Sequence, residues 1–122
     1  MRIGTDIVEI ARISRAINNW KTDFLYRVYT GQERMKINTD DPSTERAAGL
    51  WAAKEAAVKA LGCGFRNGIT FHDVEITHDD YGCPHFIFSG RVKELLAEKG
   101  IMNSSLSISH CQAYATAVAI LY

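Results

Sequence analysis

Neither sign of charge is in excess. The 14 Lys and Arg are matched by 14 Asp and Glu, so no global positive field exists to hold nucleic acid by its phosphates. Apolar runs are short, far below the roughly 20 residues that span a bilayer, and Met1-Arg2-Ile3-Gly4 does not begin a signal peptide's apolar region. The expectation is a cytoplasmic protein with neither nucleic acid nor membrane as a partner. Cysteines are few: Cys63, Cys83 and Cys111 form no CxxC pair and are odd in number, which suits free thiols in a reducing compartment. None has a base within sequence reach, and His72, His78 and His85 lack metal-ligand spacing. Repeats and low-complexity stretches are missing as well. Apolar residues are plentiful, 47% of 122, enough for one core, so residues 1–122 read as a single domain.

The charge that is present is unevenly spread. Residues 1–37 hold seven Lys/Arg against four Asp/Glu, residues 38–45 hold three acids and no base, and the rest balances. Alternation over Ile3 to Val8 predicts a short strand with Asp6 on the side of Val8. From Glu9, apolar residues recur at Ile10, Ile13, Ala16, Ile17 and Trp20, an amphipathic helix with Arg12 and Arg15 outside. A second helix is expected over Asp23 to Tyr29, and Thr30-Gly-Gln-Glu33 has capping-box spacing for a third. Phe24, Leu25, Val28 and Met35 are expected to pack inward. Asn38 to Ser43 reads as a loop, with Ser43 or Thr44 as N-cap of a strong helix over 45–61 that ends at Gly62. Val74, Ile76 and His85 to Phe88 predict a hairpin turning at Asp79 to Pro84. Ser89 is expected to cap a helix ending at Gly100, and Ser104 to Ser109 and Tyr114 to Tyr122 to form strands. Helices early and strands late predict an α+β fold, a small antiparallel sheet packed with a long central helix.

The segment Trp51-Ala-Ala-Lys54-Glu55-Ala-Ala-Val-Lys59 is the most informative. Glu55 and Lys59 share a face with Ala48 and Ala52, while Leu50, Trp51, Val58 and Leu61 form the expected buried stripe. An ordinary surface ion pair is the plain interpretation. Small neighbours also let a bulky ligand approach, with a carboxylate for a hard cation and an ammonium for a phosphate. Asp6 is either a structural carboxylate at a strand end or a second cation ligand beside Glu55.

Gly4-Thr-Asp6-Ile-Val-Glu-Ile and Trp51-Ala-Ala-Lys54-Glu55-Ala-Ala-Val-Lys59 resemble the 4'-phosphopantetheinyl transferases, in their small bacterial branch. Gly62-Cys-Gly-Phe-Arg-Asn-Gly68, Asp80-Tyr-Gly-Cys-Pro84 and Ser107-Ile-Ser-His110 extend the resemblance along the chain. The resemblance implies the 4'-phosphopantetheinyl transferase fold and transfer of the phosphopantetheine arm of coenzyme A to a serine of apo acyl carrier protein, for fatty acid biosynthesis. It implies Mg²⁺ held by Asp6 and Glu55, with Asp6, Glu55 and Lys59 as catalytic residues. Lys59, Gly62, Gly64, Ser109 and His110 would contact coenzyme A. An activated water or Glu55 would accept the serine proton. Leu50 stands where the family often has arginine, and Asp40-Asp41-Pro42 replaces a basic loop, so Arg46 or another subunit's basic side chain is left to hold nucleotide phosphate. The resemblance further implies a homotrimer with active sites between subunits.

Acyl carrier proteins are acidic, and Arg12, Arg15 and Arg27 supply complementary charge; a merely solvated face is the alternative. Ala115, Ala117 and Ala119 line one face of the last strand, suited to another subunit or to a helix of the same chain. Two further readings compete with the transferase: a non-catalytic carrier-protein-binding trimer of the same fold, and a metal-independent coenzyme A thioester enzyme.

Overall fold

The computed structural model describes residues 1–122. A three-stranded antiparallel sheet has the order β1-β5-β4, built from β1 (Arg2–Glu9), β5 (Tyr114–Leu121) and β4 (Ser104–His110). The register aligns Asp6, Ala117 and Ile108 across the three strands. Strand alternation sends Gly4, Asp6 and Val8 to one face, where Ala115, Ala117, Ala119 and Leu121 are buried. The alanine face of β5 thus packs within the chain. Ile3 and Ile7 on the opposite face are 61% and 64% exposed, and Tyr114 and Val118 share that uncovered side.

The long helix α3 (Thr44–Leu61) lies across the first face. Ser43 Oγ accepts from the Arg46 N–H, and Gly62 closes the helix in the left-handed region at φ 81°. Twelve of its residues are buried, so it is apolar nearly all round, the signature of a core helix. The expected open floor is therefore corrected: Ala48 and Ala52 are fully buried, and the alanines are what let helix and sheet meet closely. At Gly4 a side chain would stand 2.6 Å from the Ala60 nitrogen, and at Gly49 it would stand 3.1 Å from Ile108. Gly49 thus marks where α3 passes β4, and Ala56 and Ala60 mark where it passes β1.

The remaining elements frame this unit. Helix α1 (Ile10–Val28) is broken at Lys21, φ 46° and ψ −124°, so the two expected helices are segments joined at a kink. Ile10, Ile13, Ile17, Leu25 and Val28 are buried. Phe24 stacks on Trp51, which stacks on Phe71, which stacks on Phe65. Helix α2 (Gly31–Ile37) carries the full capping box at Thr30 and Glu33. Two packing expectations fail. Trp20 lies at the kink and is 65% exposed, and Met35 is 78% exposed because α2 turns Glu33 and Ile37, four residues apart, inward. Tyr29 is buried instead, its hydroxyl donating to the Ala47 carbonyl at 2.6 Å. The hairpin of β2 (Val74–His78) and β3 (Pro84–Phe88) forms as expected after a 3-10 turn at Phe71–Asp73. Ser89 precedes α4 (Gly90–Glu98), but its side chain makes no cap bond; its hydroxyl donates to the His72 carbonyl at 3.5 Å.

One ion pair lies inside the core. Lys54 and Glu33 meet at 2.8 Å with neither side chain exposed. Lys54 also donates to the carbonyls of Phe71 and Val74, while Glu33 accepts from the backbone N–H groups of Thr30 and Ile76. Burial pushes the Lys54 ammonium below its usual range, and Glu33 opposes that shift. No helix of the chain is long and apolar enough to cross a membrane.

Candidate active site

Asp6 and Lys59, far apart in sequence, meet where α3 passes β1. Lys59 Nζ donates to Asp6 Oδ1 at 2.9 Å, with the lysine side chain 53% exposed and the aspartate 12%. The ammonium thus pairs across elements with Asp6, not along the helix with Glu55. Glu55 is half-buried one turn before Lys59. Burial and the negative charge of Asp6 raise its pKa above the ordinary carboxylate value, while Lys59 and Arg12 pull it back. The half-buried Glu55, whose proton affinity the Asp6 charge raises, forms with Asp6 a hard oxygen donor pair suited to a divalent cation. Gly62 and Gly64 follow Lys59 in a turn with φ 81° and 88°, and neither has an atom within 4 Å of where a side chain would begin. That turn leaves backbone open to an approaching ligand.

A second feature lies at the other edge of the sheet. Lys36, Arg46 and His78 converge with His110 on a groove of about 430 Å³, floored by Gly49, Leu50, Ile108 and Pro84 and flanked by Gly82 and Glu45. Lys36 Nζ lies 2.9 Å from His78 Nδ1, and Arg46 Nη1 donates to the Lys36 carbonyl at 2.9 Å. The site residues expected from sequence therefore fall into two groups. Asp6, Glu55, Lys59, Gly62 and Gly64 stand beside β1 and the end of α3, and Arg46 and His110 line the groove. Ser109 joins neither, since alternation turns its side chain to the opposite face from Ile108 and His110.

Arg12 and Arg15 are exposed on the first segment of α1, and that helix packs against α3 and β1, the elements that carry Glu55 and Asp6. Arg27 lies beyond the kink, in a shallow depression with Trp20, Asp23, Phe24 and Tyr26. Sequence reading missed Lys36 and His78. Only the basic bias of residues 1–37 hinted at the first, and no spacing rule links either to Arg46.

A carboxylate pair and lysine thus stand together on one small α+β frame, with a separate basic groove at the other edge of the sheet. Residues 2–119 match the family model described as the 4'-phosphopantetheinyl transferase superfamily, and the chain belongs to that family. Among its relatives, the holo-[acyl-carrier-protein] synthase of Verminephrobacter eiseniae is 45% identical, with 99% of this chain and 92% of that protein aligned. The Helicobacter pylori holo-[acyl-carrier-protein] synthase, solved in complex with coenzyme A, superposes with a TM-score of 0.87 at 34% identity, covering 98% of this chain and 99% of that one. The Neisseria meningitidis holo-[acyl-carrier-protein] synthase gives a TM-score of 0.90 at 33% identity, over 99% and 97% of the two chains.

Proposed function

We propose that this protein transfers the 4'-phosphopantetheine arm of coenzyme A to a serine of apo acyl carrier protein, releasing adenosine 3',5'-bisphosphate, as a cytoplasmic step of fatty acid biosynthesis. The observation that carries the reading is the meeting of Asp6, Glu55 and Lys59 at one edge of the fold, in a chain of this family. The serine oxygen attacks the phosphorus that bears pantetheine, and the bond to the adenosine-side phosphate oxygen breaks. Lys59 neutralises charge on the departing phosphate, and Glu55 is the group of the chain placed to accept the serine proton. Asp6 and Glu55 fit Mg²⁺ as its carboxylate ligands; when bound, the ion neutralises diphosphate charge and acidifies coordinated water. Gly62 and Gly64 give the coenzyme close access to backbone, and Arg46 and His110 line the seat of its nucleotide.

The uncovered sheet face with Ile3, Ile7, Tyr114 and Val118 supports a homotrimer. So does the placement of Asp6 on edge strand β1 and of the groove residues Ile108 and His110 on edge strand β4, which favours a ligand bridging two subunits. The exposed Arg12 and Arg15, on a helix packed against the elements that carry the carboxylates, support docking of the acidic carrier there, with Arg27 as an outlying contact.

The intact mass of apo acyl carrier protein, followed with coenzyme A and Mg²⁺, tests the reading. It should rise by one phosphopantetheine, and the rise should vanish with EDTA and in Glu55→Gln. No rise with folded protein and several carriers would overturn the transferase in favour of a non-catalytic carrier-binding protein.

A further inference from the structure

The carboxylate of Asp6 already has a cation on it. Lys59 Nζ sits 2.9 Å from Asp6 Oδ1, the only hydrogen bond that this side chain makes, and the aspartate is the more buried partner. The group that fits a divalent cation is therefore held by the group that suits a phosphate. The two lysines of α3 differ in how firmly they are kept. Lys54 is buried, and Glu33 with the carbonyls of Phe71 and Val74 takes up all three of its ammonium hydrogens. Lys59 makes one bond from a side chain that is 53% exposed, which leaves two hydrogens and a flexible four-carbon stem. An ion pair this exposed is worth little by itself, so a competitor can displace it. Glu55, one turn before Lys59, is bonded to nothing in the chain and reaches solvent. Asp6, Glu55 and Lys59 together leave one net negative charge. A dication on the carboxylates would face the Lys59 ammonium across a single aspartate and repel it, whereas a diphosphate alongside offers that ammonium another anion.

We propose that Lys59 and the divalent cation compete for Asp6, and that the ammonium passes from the aspartate to the diphosphate as metal and coenzyme bind together. The proposal rests on the metal and coenzyme A reading above and adds a dependence between the two ligands. Lys59 neutralises Asp6 in the free protein and so keeps its affinity for a dication low. The diphosphate raises that affinity by drawing the ammonium away. Linkage is reciprocal, so the metal tightens coenzyme A by the same factor. Lys59 thereby makes metal loading conditional on the anion that the metal is needed for.

Binding of Mn²⁺ alone, read from the electron paramagnetic resonance signal of the free ion at neutral pH in moderate salt, tests the competition without turnover. Lys59→Met should bind Mn²⁺ about fivefold more tightly than wild type, the upper end for an exposed pair, and Asp6→Asn added to it should abolish the gain. Arg12→Gln removes a charge that acts on Glu55 without a bond to Asp6, and should tighten Mn²⁺ less than about twofold under the same screening. Coenzyme A should raise Mn²⁺ affinity by a larger factor in wild type than in Lys59→Met. Lys59→Met binding Mn²⁺ no more tightly than wild type, or no more tightly than Arg12→Gln, would overturn the proposal. Asp6→Asn and Glu55→Gln, each made alone, separate it from the reading beneath it. If each weakens Mn²⁺ while Lys59→Met changes nothing, only the competition fails. If neither does, the carboxylates hold no metal, and that part of the reading fails with the proposal.

Discussion

Lys54 and Glu33 form a 2.8 Å ion pair from which water is excluded on both sides. The pair joins α3 to α2, and through the carbonyls of Phe71 and Val74 and the Ile76 N–H it also holds the 3-10 turn and β2. Removing one partner strands the other's charge, a loss of about 3–5 kcal/mol. Lys54→Met should therefore lower the urea midpoint sharply. Glu33→Gln, which keeps an acceptor for one of the backbone N–H groups, should cost less. Equilibrium unfolding followed by circular dichroism separates the two, and equal small losses would show that the pair contributes little.

Gly4 admits no side chain. Its β-carbon would collide with the Ala56 carbonyl and stand 2.6 Å from the Ala60 nitrogen, all backbone atoms. Gly4→Ala should force β1 away from α3, destabilising by about 1–3 kcal/mol as overpacking does and spoiling the approach of Asp6 to Lys59. Transfer activity should fall more than the folded fraction does at the assay temperature. Loss in strict proportion to unfolding would separate the strand's position from catalysis.

Arg12 and Arg15 are exposed, so their attraction for an acidic carrier is screened over about 8–10 Å in ordinary buffers. Arg12→Gln and Arg15→Gln should raise KM for carrier protein several-fold at low salt, with the gap to wild type closing as salt is added. KM for coenzyme A should move little. An unchanged carrier KM in both variants would remove docking from this face.

His78 is held below its usual value near 6.5 by partial burial and by the positive charges of Lys36 and Arg46, with a smaller push from His85 and an opposing pull from Asp79. In proton NMR its ring should titrate below 6.5 in wild type and higher in Lys36→Met. Because the folded value lies below the unfolded one, the unfolded chain takes up the proton first as pH falls. His78 should thus contribute a decline in stability beginning near pH 6.5 and complete below its folded value. The exposure of the ring keeps that slope shallow. A midpoint unmoved by Lys36→Met would show that the 2.9 Å contact does not persist in solution.

Most elements were legible in the sequence because their signals are local. The Thr30 and Glu33 box, the Ser43 cap, the Gly62 stop and the alternation through Ala115, Ala117 and Ala119 each specify conformation within a few residues. Asp6 on the side of Val8 and the inward Ile10, Ile13 and Ile17 of α1 followed from periodicity alone, whereas choosing between a structural Asp6 and a cation ligand beside Glu55 needed the family resemblance. The errors arose where tertiary packing decides. Ala48 and Ala52 looked like an open floor because alanine is as much at home under a ligand as under a sheet. Nothing in the sequence marked Lys54 as a core residue, because its partner Glu33 lies on another element. Lys36, Arg46 and His78 belong to three elements whose meeting no spacing encodes.

The alanines and glycines of α3 and its neighbouring strands have a consequence for precision. Alanine and glycine have no side-chain rotamers to freeze, so closing this layer costs almost no side-chain entropy and allows no alternative packing of side chains. The distance between Asp6 and α3 is consequently set by backbone against backbone at Gly4, Ala56 and Ala60, a contact that cannot repack by changing a torsion angle. The alignment of the charged groups is inherited from residues that carry no chemistry of their own, and its tolerance is that of a rigid joint, not of a flexible hand.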